Sequence, residues 1–316
     1  MRGTVYKSTG SWYSVKTDNG DFIECRIKGK FRIQGIKSTN PIAVGDVVEF
    51  EIEQLGDDDV GTISAIRDRR NYIIRKSVNL SKQTHIIAAN LDQVFVLITL
   101  NNPTTYPLFI DRFLATAEAY DVPSVLLFNK IDSYDEEQLG EVRYLAALYR
   151  KIGYTCLGIS ALTGKNIEKV KELMMDKTSM FAGHSGAGKS TLVNALEPGL
   201  DLKTAEISEQ HLQGQHTTTF AEMYDISFGG RIIDTPGIKG FGVVDMGEDE
   251  IGDYFPEFFA LKDGCKFNNC LHLNEPQCAV KDALESDEVS WSRYRSYVQM
   301  VTGEDENYRI DIHGQK

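Results

Sequence analysis

The chain has 316 residues, 41% of them hydrophobic, which suits two or three domains with ordinary cores. A formal charge of −12 excludes a generic nucleic-acid coat and leaves room only for a local basic face that could meet RNA. No apolar run reaches the length of a membrane span, and the opening "MRGTVYKSTGSW" lacks the apolar centre of a signal peptide, so we expect a cytoplasmic chain with no membrane partner.

Residues 1–68 read as small all-β. The runs "SWYSV", "FIECRI", "DVVEFEI" and "GTISAI" are separated by turn signals at Asp18-Asn19-Gly20, Asn40-Pro41 and Gly56-Asp57-Asp58-Asp59. That length and strand count suit a five-stranded barrel of the oligonucleotide-binding (OB) type, and other small barrels satisfy the same count. Within "CRIKGKFRI", Arg26, Lys28, Lys30 and Arg32 occupy every second position, with Ile27, Phe31 and Ile33 at the alternate ones. An extended segment then carries four cations on one face. A solvated face would look the same. The domain type and a second basic run, "RDRRNYIIRK" (67–76), favour phosphate contact with RNA.

Residues 69–245 alternate strand and helix. "QVFVLIT" reads as a buried strand, "PLFIDRFLATAEAY" as a helix and "PSVLLF" as the next strand. "DEEQLGEVRYLAALYRKIG" (helix), "TCLGI" (strand), "NIEKVKELM" (helix), "SMFA" (strand) and "KSTLVNAL" (helix) follow. "AEMYDISFGGRIIDTPG" reads as a hairpin turning at Gly229-Gly230. The pattern predicts a parallel α/β sheet with one antiparallel hairpin.

Five motifs in this region carry chemistry. Asn129, Lys130, Ile131 and Asp132 spell NKID. The Asp132 carboxylate can accept from both donors on the guanine edge, a pair that adenine lacks. The Asn129 amide would contact guanine and buttress the loop, and the Lys130 stem would lie over the ring. Ser160 and Ala161 open "SAL", where a backbone N–H can meet the guanine carbonyl oxygen. Gly183, His184, Ser185, Gly186, Ala187 and Gly188 run into Lys189, Ser190 and Thr191 as a phosphate loop between a strand and a helix. Lys189 would reach the β- and γ-phosphates, and Ser190 would hold Mg²⁺. "GQHTTT" (214–219) lies where a first switch belongs, with Thr218, or Thr217 beside it, completing the magnesium shell. In "DTPG", Asp234 would support Mg²⁺ through water and the Gly237 N–H would sense the γ-phosphate.

The order is unusual. An ordinary GTPase has its phosphate loop first and its NKxD last, whereas here NKID precedes the phosphate loop by about fifty residues. All five motifs nonetheless keep the usual cyclic order. A circular permutation explains this without changing strand neighbours, and it sends the chain after DTPG outward into the C-terminal unit. Ile238 stands where a water-orienting Gln is found in Ras-like enzymes, so unaided hydrolysis should be slow. His216 is the internal candidate to place the attacking water, and the alternative is a group supplied by the partner.

Residues 246–316 form a smaller unit. Cys265-x4-Cys270-x-His272-x5-Cys278 offers three thiolates and one imidazole, a closed structural zinc set. With five cysteines in all, this clustering favours a metal in a reducing compartment over disulfides, leaving Cys25 and Cys156 as core residues. Trp291, Tyr294, Val298 and Val301 make a helical stripe that reads as core, and the polar tail "TGEDENYRIDIHGQK" reads as disordered.

The barrel, the order NKID–SAL–GHSGAGKS–GQHTTT–DTPG and C-x4-C-x-H-x5-C together resemble the RsgA (YjeQ/YloQ) family, bacterial circularly permuted GTPases of small ribosomal subunit biogenesis. The resemblance spans nearly the whole chain. It implies an OB-type barrel (1–68), a permuted P-loop GTPase domain (69–245) and a helical zinc-binding domain (246–316). It also implies a GTP-hydrolysing assembly factor that binds the maturing small subunit and its rRNA, is stimulated by it, and helps release another assembly factor. We expect it to act as a monomer. His184 departs from the family's usual Gln. Rival readings are a permuted GTPase of large-subunit assembly, and a non-catalytic RNA scaffold that uses GTP only for stability.

Overall fold

A computed structural model describes residues 1–27, 41–55, 58–76, 84–200, 221–234 and 246–303. The first five strands are β1 (Arg2–Ser8), β2 (Tyr13–Thr17), β3 (Phe22–Ile27), β4 (Val47–Leu55) and β5 (Asp58–Ile66). They follow the order β1-β2-β3-β5-β4, and β4 pairs back onto β1, so the sheet closes into a barrel. Alternation places Val5, Tyr13, Val15, Cys25, Val48, Phe50 and Ile63 inside. Closure needs a small residue where β3 meets β5 in parallel, because a Cβ on Gly61 would lie 2.3 Å from the Cys25 sulfur. Asp58 and Asp59 lie within β5, facing Leu55 and Gln54, and are not part of the turn predicted there.

Of the expected cationic face only Arg26 lies within the described residues, about half exposed and paired with Glu53 at 3.5 Å; Lys28, Lys30 and Arg32 lie outside them. In the second basic run, Arg67, Arg69 and Arg70 each have an acidic partner, and only Arg69 of the three is buried. Arg67 pairs with Glu49, Arg70 with Asp92, and Arg69 is buried against Asp46 at 2.6 Å. Its remainder forms a hairpin that periodicity did not reveal, β6 (Tyr72–Lys76) against β7 (Thr84–Ala89).

A six-stranded sheet follows. Its elements are β8 (Gln93–Ile98), α1 (Pro107–Ala119), β9 (Ser124–Phe128), α2 (Glu136–Ile152), β10 (Thr155–Gly158), α3 (Ile167–Met174), β11 (Thr178–Gly183), α4 (Lys189–Leu196), β12 (Glu222–Asp225) and β13 (Arg231–Asp234). The strand order is β10-β9-β8-β11-β13-β12, parallel throughout except at β12. Every residue of β8 is buried because both faces are covered. Val94, Val96 and Ile98 face the core shared with α1 and α2, while Phe95 and Leu97 face that of α3 and α4. The ends of α2 follow from local chemistry: Asp135 and Gln138 form a capping box, acidic residues occupy the first turn, basic ones the last, and Gly153 ends it at φ 123°. The barrel joins this sheet through one β1–β12 pair, Lys7 opposite Glu222, reinforced by the Tyr6 hydroxyl donating to Asp225 at 2.7 Å.

The last unit contains a 3-10 turn (Ile251–Tyr254), α5 (Pro256–Phe259), a second 3-10 turn (Lys262–Gly264), α6 (Ala279–Glu285) and α7 (Trp291–Thr302). Of the stripe expected on α7, Val301 lies in the core and Tyr294 and Val298 pack against it, while Trp291 does not. Trp291 is 59% exposed, and the buried face is Arg293, Ser296, Tyr297, Met300 and Val301. A buried arginine made that face illegible as apolar. Its guanidinium is held by Asp111 of α1 at 2.8 Å and by Glu257 of α5 at 2.7 Å, with the Phe255 ring 4.3 Å away. Tyr149 of α2 also donates to Asp111, at 2.7 Å. Burial raises the Asp111 carboxyl, and the Arg293 charge opposes that rise. The tail expected to be disordered lies, from residue 304 on, outside the described residues.

Among the described residues no helix is long and apolar enough to cross a membrane. Arg293→Ala should destabilise the fold by about 3–5 kcal/mol, because it leaves a carboxylate buried without its counter-charge. Urea denaturation measures this; a loss below about 1 kcal/mol would contradict it.

Candidate nucleotide site and metal centre

Three loops and the end of β13 meet at the carboxyl ends of the parallel strands, where open α/β sheets place their ligands. The loop after β9 carries NKID, that after β10 carries SAL, that after β11 is the phosphate loop, and β13 ends at Asp234. Asn129 ties three of them together. Its Nδ2 donates to the Ala187 carbonyl at 2.8 Å, and its Oδ1 accepts from the Ala161 N–H at 3.0 Å. Gly188 must be glycine for this contact, since it has φ 97° and a Cβ there would lie 2.4 Å from that Nδ2.

Within the phosphate loop, Ser185 and Gly186 are exposed and Gly183 and Ala187 buried. Lys189 donates to the carbonyls of Gly183 and His184, at 2.8 and 2.9 Å. Burial pushes the Lys189 ammonium down from its ordinary value, and the Asp234 charge opposes that. His184 is lowered by burial and then by Lys189, which favours a neutral imidazole. Ser190 and Thr191 are exposed on the first turn of α4, the end that favours anions. The Ser190 hydroxyl and the Asp234 carboxylate are oxygen donors of the kind Mg²⁺ takes.

On the base side, Asp132 is exposed and Ser160 fully buried, its hydroxyl accepting from Thr163 N–H at 3.0 Å. The Ile131 side chain sits over Gly158, and the Lys130 ammonium donates to the Asn102 carbonyl. Three nearby residues escaped the sequence reading. The Tyr134 hydroxyl donates to the Asn129 carbonyl at 2.8 Å and accepts from Leu100 N–H at 2.9 Å, fastening NKID to the end of β8. Phe109 and Asn102 come from the segment after β8, which has no motif of its own; only the short distance between Asp132 and Tyr134 in sequence hinted at a helper. His216, Thr217, Thr218 and Gly237 lie outside the described residues.

The metal centre is built on loops around α6. The ligand atoms of Cys265, Cys270, His272 and Cys278 lie within 4.8 Å of one another. A zinc tetrahedron with bonds of about 2.3 Å to sulfur and about 2.0–2.1 Å to nitrogen has edges of about 3.6–3.8 Å. The edges Cys265 Sγ–His272 Nδ1, His272 Nδ1–Cys278 Sγ and Cys265–Cys278 Sγ measure 3.6, 3.3 and 4.0 Å. The cluster therefore fits a structural zinc site. Burial pushes the Cys270 thiol up to about 12, so a thiolate there requires a cation's charge. The backbone carrying these ligands is fixed by neighbours. Tyr294 and Tyr297 donate to the carbonyls of His272 and Leu271, at 2.7 and 2.6 Å, and Glu275 accepts from the N–H groups of Leu271, Leu273 and Asn274. Cys25 and Cys156 are buried and free, with burial raising them to about 12 and about 11.

A six-stranded sheet with its base-side loops ahead of its phosphate loop defines a circularly permuted GTPase. The profile described as RsgA GTPase matches residues 66–244, and that described as RsgA N-terminal domain matches residues 2–63. The chain belongs to the RsgA family. A relative from Christiangramia forsetii named small ribosomal subunit biogenesis GTPase RsgA is 70% identical over 311 residues, covering 98% of this chain and 99% of that one. Among solved structures, YjeQ from Thermotoga maritima is 34% identical, with a TM-score of 0.76, over 100% of this chain and 99% of that one. YloQ, described as a circularly permuted GTPase, is 30% identical with a TM-score of 0.74, over 97% and 95%.

Cys270→Ser should release metal and destabilise the C-terminal unit, because structural zinc binding contributes folding free energy directly. Metal analysis of wild-type protein purified without chelators should find about one zinc per chain; finding none would contradict the assignment.

Proposed function

We propose that this chain is a GTPase of small ribosomal subunit maturation, whose slow intrinsic hydrolysis is stimulated by that subunit. The observation that carries the reading is the Asn129 amide, whose two ends join the phosphate loop to the SAL loop and so bring base recognition and phosphate recognition into one site. The relatives' shared name supplies the process.

The roles are as follows. Asp132 reads guanine, with Asn129, Lys130 and Ile131 shaping its loop and Ser160 and Ala161 closing the base pocket. Residues 183–188 cradle the phosphates, with Lys189 as their cation. Ser190, Thr218 and Asp234 hold Mg²⁺, which would neutralise charge on the phosphates. Gly237 senses the γ-phosphate and His216 orients water. The barrel, 1–68, meets rRNA through Arg26, Lys28, Lys30 and Arg32; the G domain spans 69–245 and the zinc unit 246–316. The protein acts as a monomer in the cytoplasm and helps release another assembly factor.

GTP turnover should be measured alone, with small subunits and with large subunits. Stimulation by small subunits supports the proposal, stimulation only by large ones overturns it, and no turnover under any condition favours a scaffold. Asp132→Asn should lose guanine preference worth about 1–3 kcal/mol, since an amide cannot accept from both donors; unchanged preference for GTP over ATP would remove NKID from base reading. His216→Ala should keep GTP affinity and subunit binding but lose most stimulated turnover. Stimulated turnover near wild type would move that role to the ribosome.

A further inference from the structure

Helix α1 belongs to two cores at once. Ile110, Phe113, Leu114 and Ala117 pack into the core of the sheet. Leu108 and Ala115 belong instead to the core of the zinc unit, with Ile251, Phe255 and Tyr297. Asp111 lies on that same side, three residues from Leu108 and four from Ala115, and takes the Arg293 guanidinium. The two faces explain a helix with buried residues nearly all round.

A third side of α1 touches the phosphate loop. The ring of Phe109 lies 4.0 Å from the His184 imidazole, centroid to centroid, at 36°. The turn leading into α1 adds two contacts with the nucleotide loops: Asn102 accepts from the Lys130 ammonium, and Pro103 lies 3.5 Å from where a Cβ on Gly186 would be. That turn is itself stiff, since Thr105 donates its N–H to the Thr99 carbonyl at 2.7 Å and accepts from the Thr99 N–H at 3.1 Å. Phe109 and Asp111 are separated by one residue, about 3 Å along the helix axis. Because α1 is close-packed on both sides, a shift of the Phe109 end and a shift of the Asp111 end are coupled, with no void to absorb one without the other.

We propose that Phe109 is a positioning residue for the phosphate loop, and that through α1 the seating of the zinc unit and the occupancy of the nucleotide site depend on each other. The proposal rests on the reading that this loop binds guanine nucleotide. Such dependence is reciprocal: if docking of α7 favours one position of the loop, nucleotide must favour docking of α7.

The test uses the full zinc-loaded chain. Binding of a fluorescent GDP is measured first, then hydrogen exchange of residues 291–302 with and without saturating GDP and Mg²⁺. In wild type, GDP should slow exchange in α7. Phe109→Ala should weaken GDP binding about 5–10-fold, within the usual range of site-to-site coupling, and at saturating GDP should abolish the slowing. Phe109→Tyr, which keeps the ring, should restore both; a merely structural loss would not be rescued in this way. Exchange in α7 unaffected by GDP in wild type, or slowed equally in Phe109→Ala, overturns the proposal. Failure of wild type to bind GDP overturns the nucleotide reading and this one with it, whereas binding without an α7 response overturns only this one. Should Phe109→Ala not fold, as judged by zinc content and thermal melting, Glu257→Gln probes from the other end. It should change GDP affinity at least about twofold, and unchanged affinity overturns the proposal.

Discussion

The structure depends on one buried ion cluster. Arg293 is 1% exposed and Asp111 0%, and between them they join a C-terminal helix to the helix after β8, 182 residues apart in sequence. Charges taken out of water destabilise a fold unless they are matched; here Arg293 is held by two carboxylates and aromatic faces, and Asp111 Oδ1 by Arg293 and the Tyr149 hydroxyl, while the buried Asp111 Oδ2 makes no hydrogen bond among the described residues. Replacing such a cluster with apolar side chains is often neutral or stabilising in other proteins, so its presence is not accounted for by stability alone. Its directional hydrogen bonds do what an apolar contact would not. They fix the rotation of α7 about its axis, and hence which of its faces meets α1 and which supports the zinc loops through Tyr294 and Tyr297.

This is also where sequence reasoning reached its limit. The nucleotide motifs and the cysteine–histidine spacing were legible because their chemistry demands fixed residue types at fixed local separations. The strands and helices of the α/β sheet were legible for a similar reason: periodicity and capping, as at Asp135 and Gly153, are local. On α7 the stripe held except at Trp291, and the burial of Arg293 went unseen because it reads as a solvent residue until its partners from α1 and α5 are known. The ion pairs of Arg67, Arg69 and Arg70 with Glu49, Asp46 and Asp92 were not legible, because the acidic partners lie on other strands and loops. Tyr134 and Phe109 went unnoticed because each acts through another residue's backbone or ring. Most of what was missed is a charge or ring whose partner lies far away in sequence, as Arg293 and Asp111 do at 182 residues; Tyr134, five residues from Asn129, is the exception.

Permutation places these contacts in a different light. The NKID and SAL loops come early in the chain and are locked to the phosphate loop only when Asn129 meets Ala187, 58 residues later. The helix that follows β8 then gains a second neighbour in the C-terminal unit. Part of the helix surface is lent to another core, where Leu108 and Ala115 pack with residues of the zinc unit.

The junction of β1 with β12 has a consequence for dissecting the molecule. β12 is the outermost strand of the six-stranded sheet, antiparallel to its only neighbour within that sheet. Its other edge meets the barrel at Lys7, and the Tyr6 ring and hydroxyl lie alongside. A fragment lacking the barrel would present that edge as a short row of unpaired N–H and C=O groups, open to strand addition by a second copy. Self-association of such a fragment would then report a missing shield, not a natural oligomer, and the barrel acts as the sheet's cover as well as a domain in its own right.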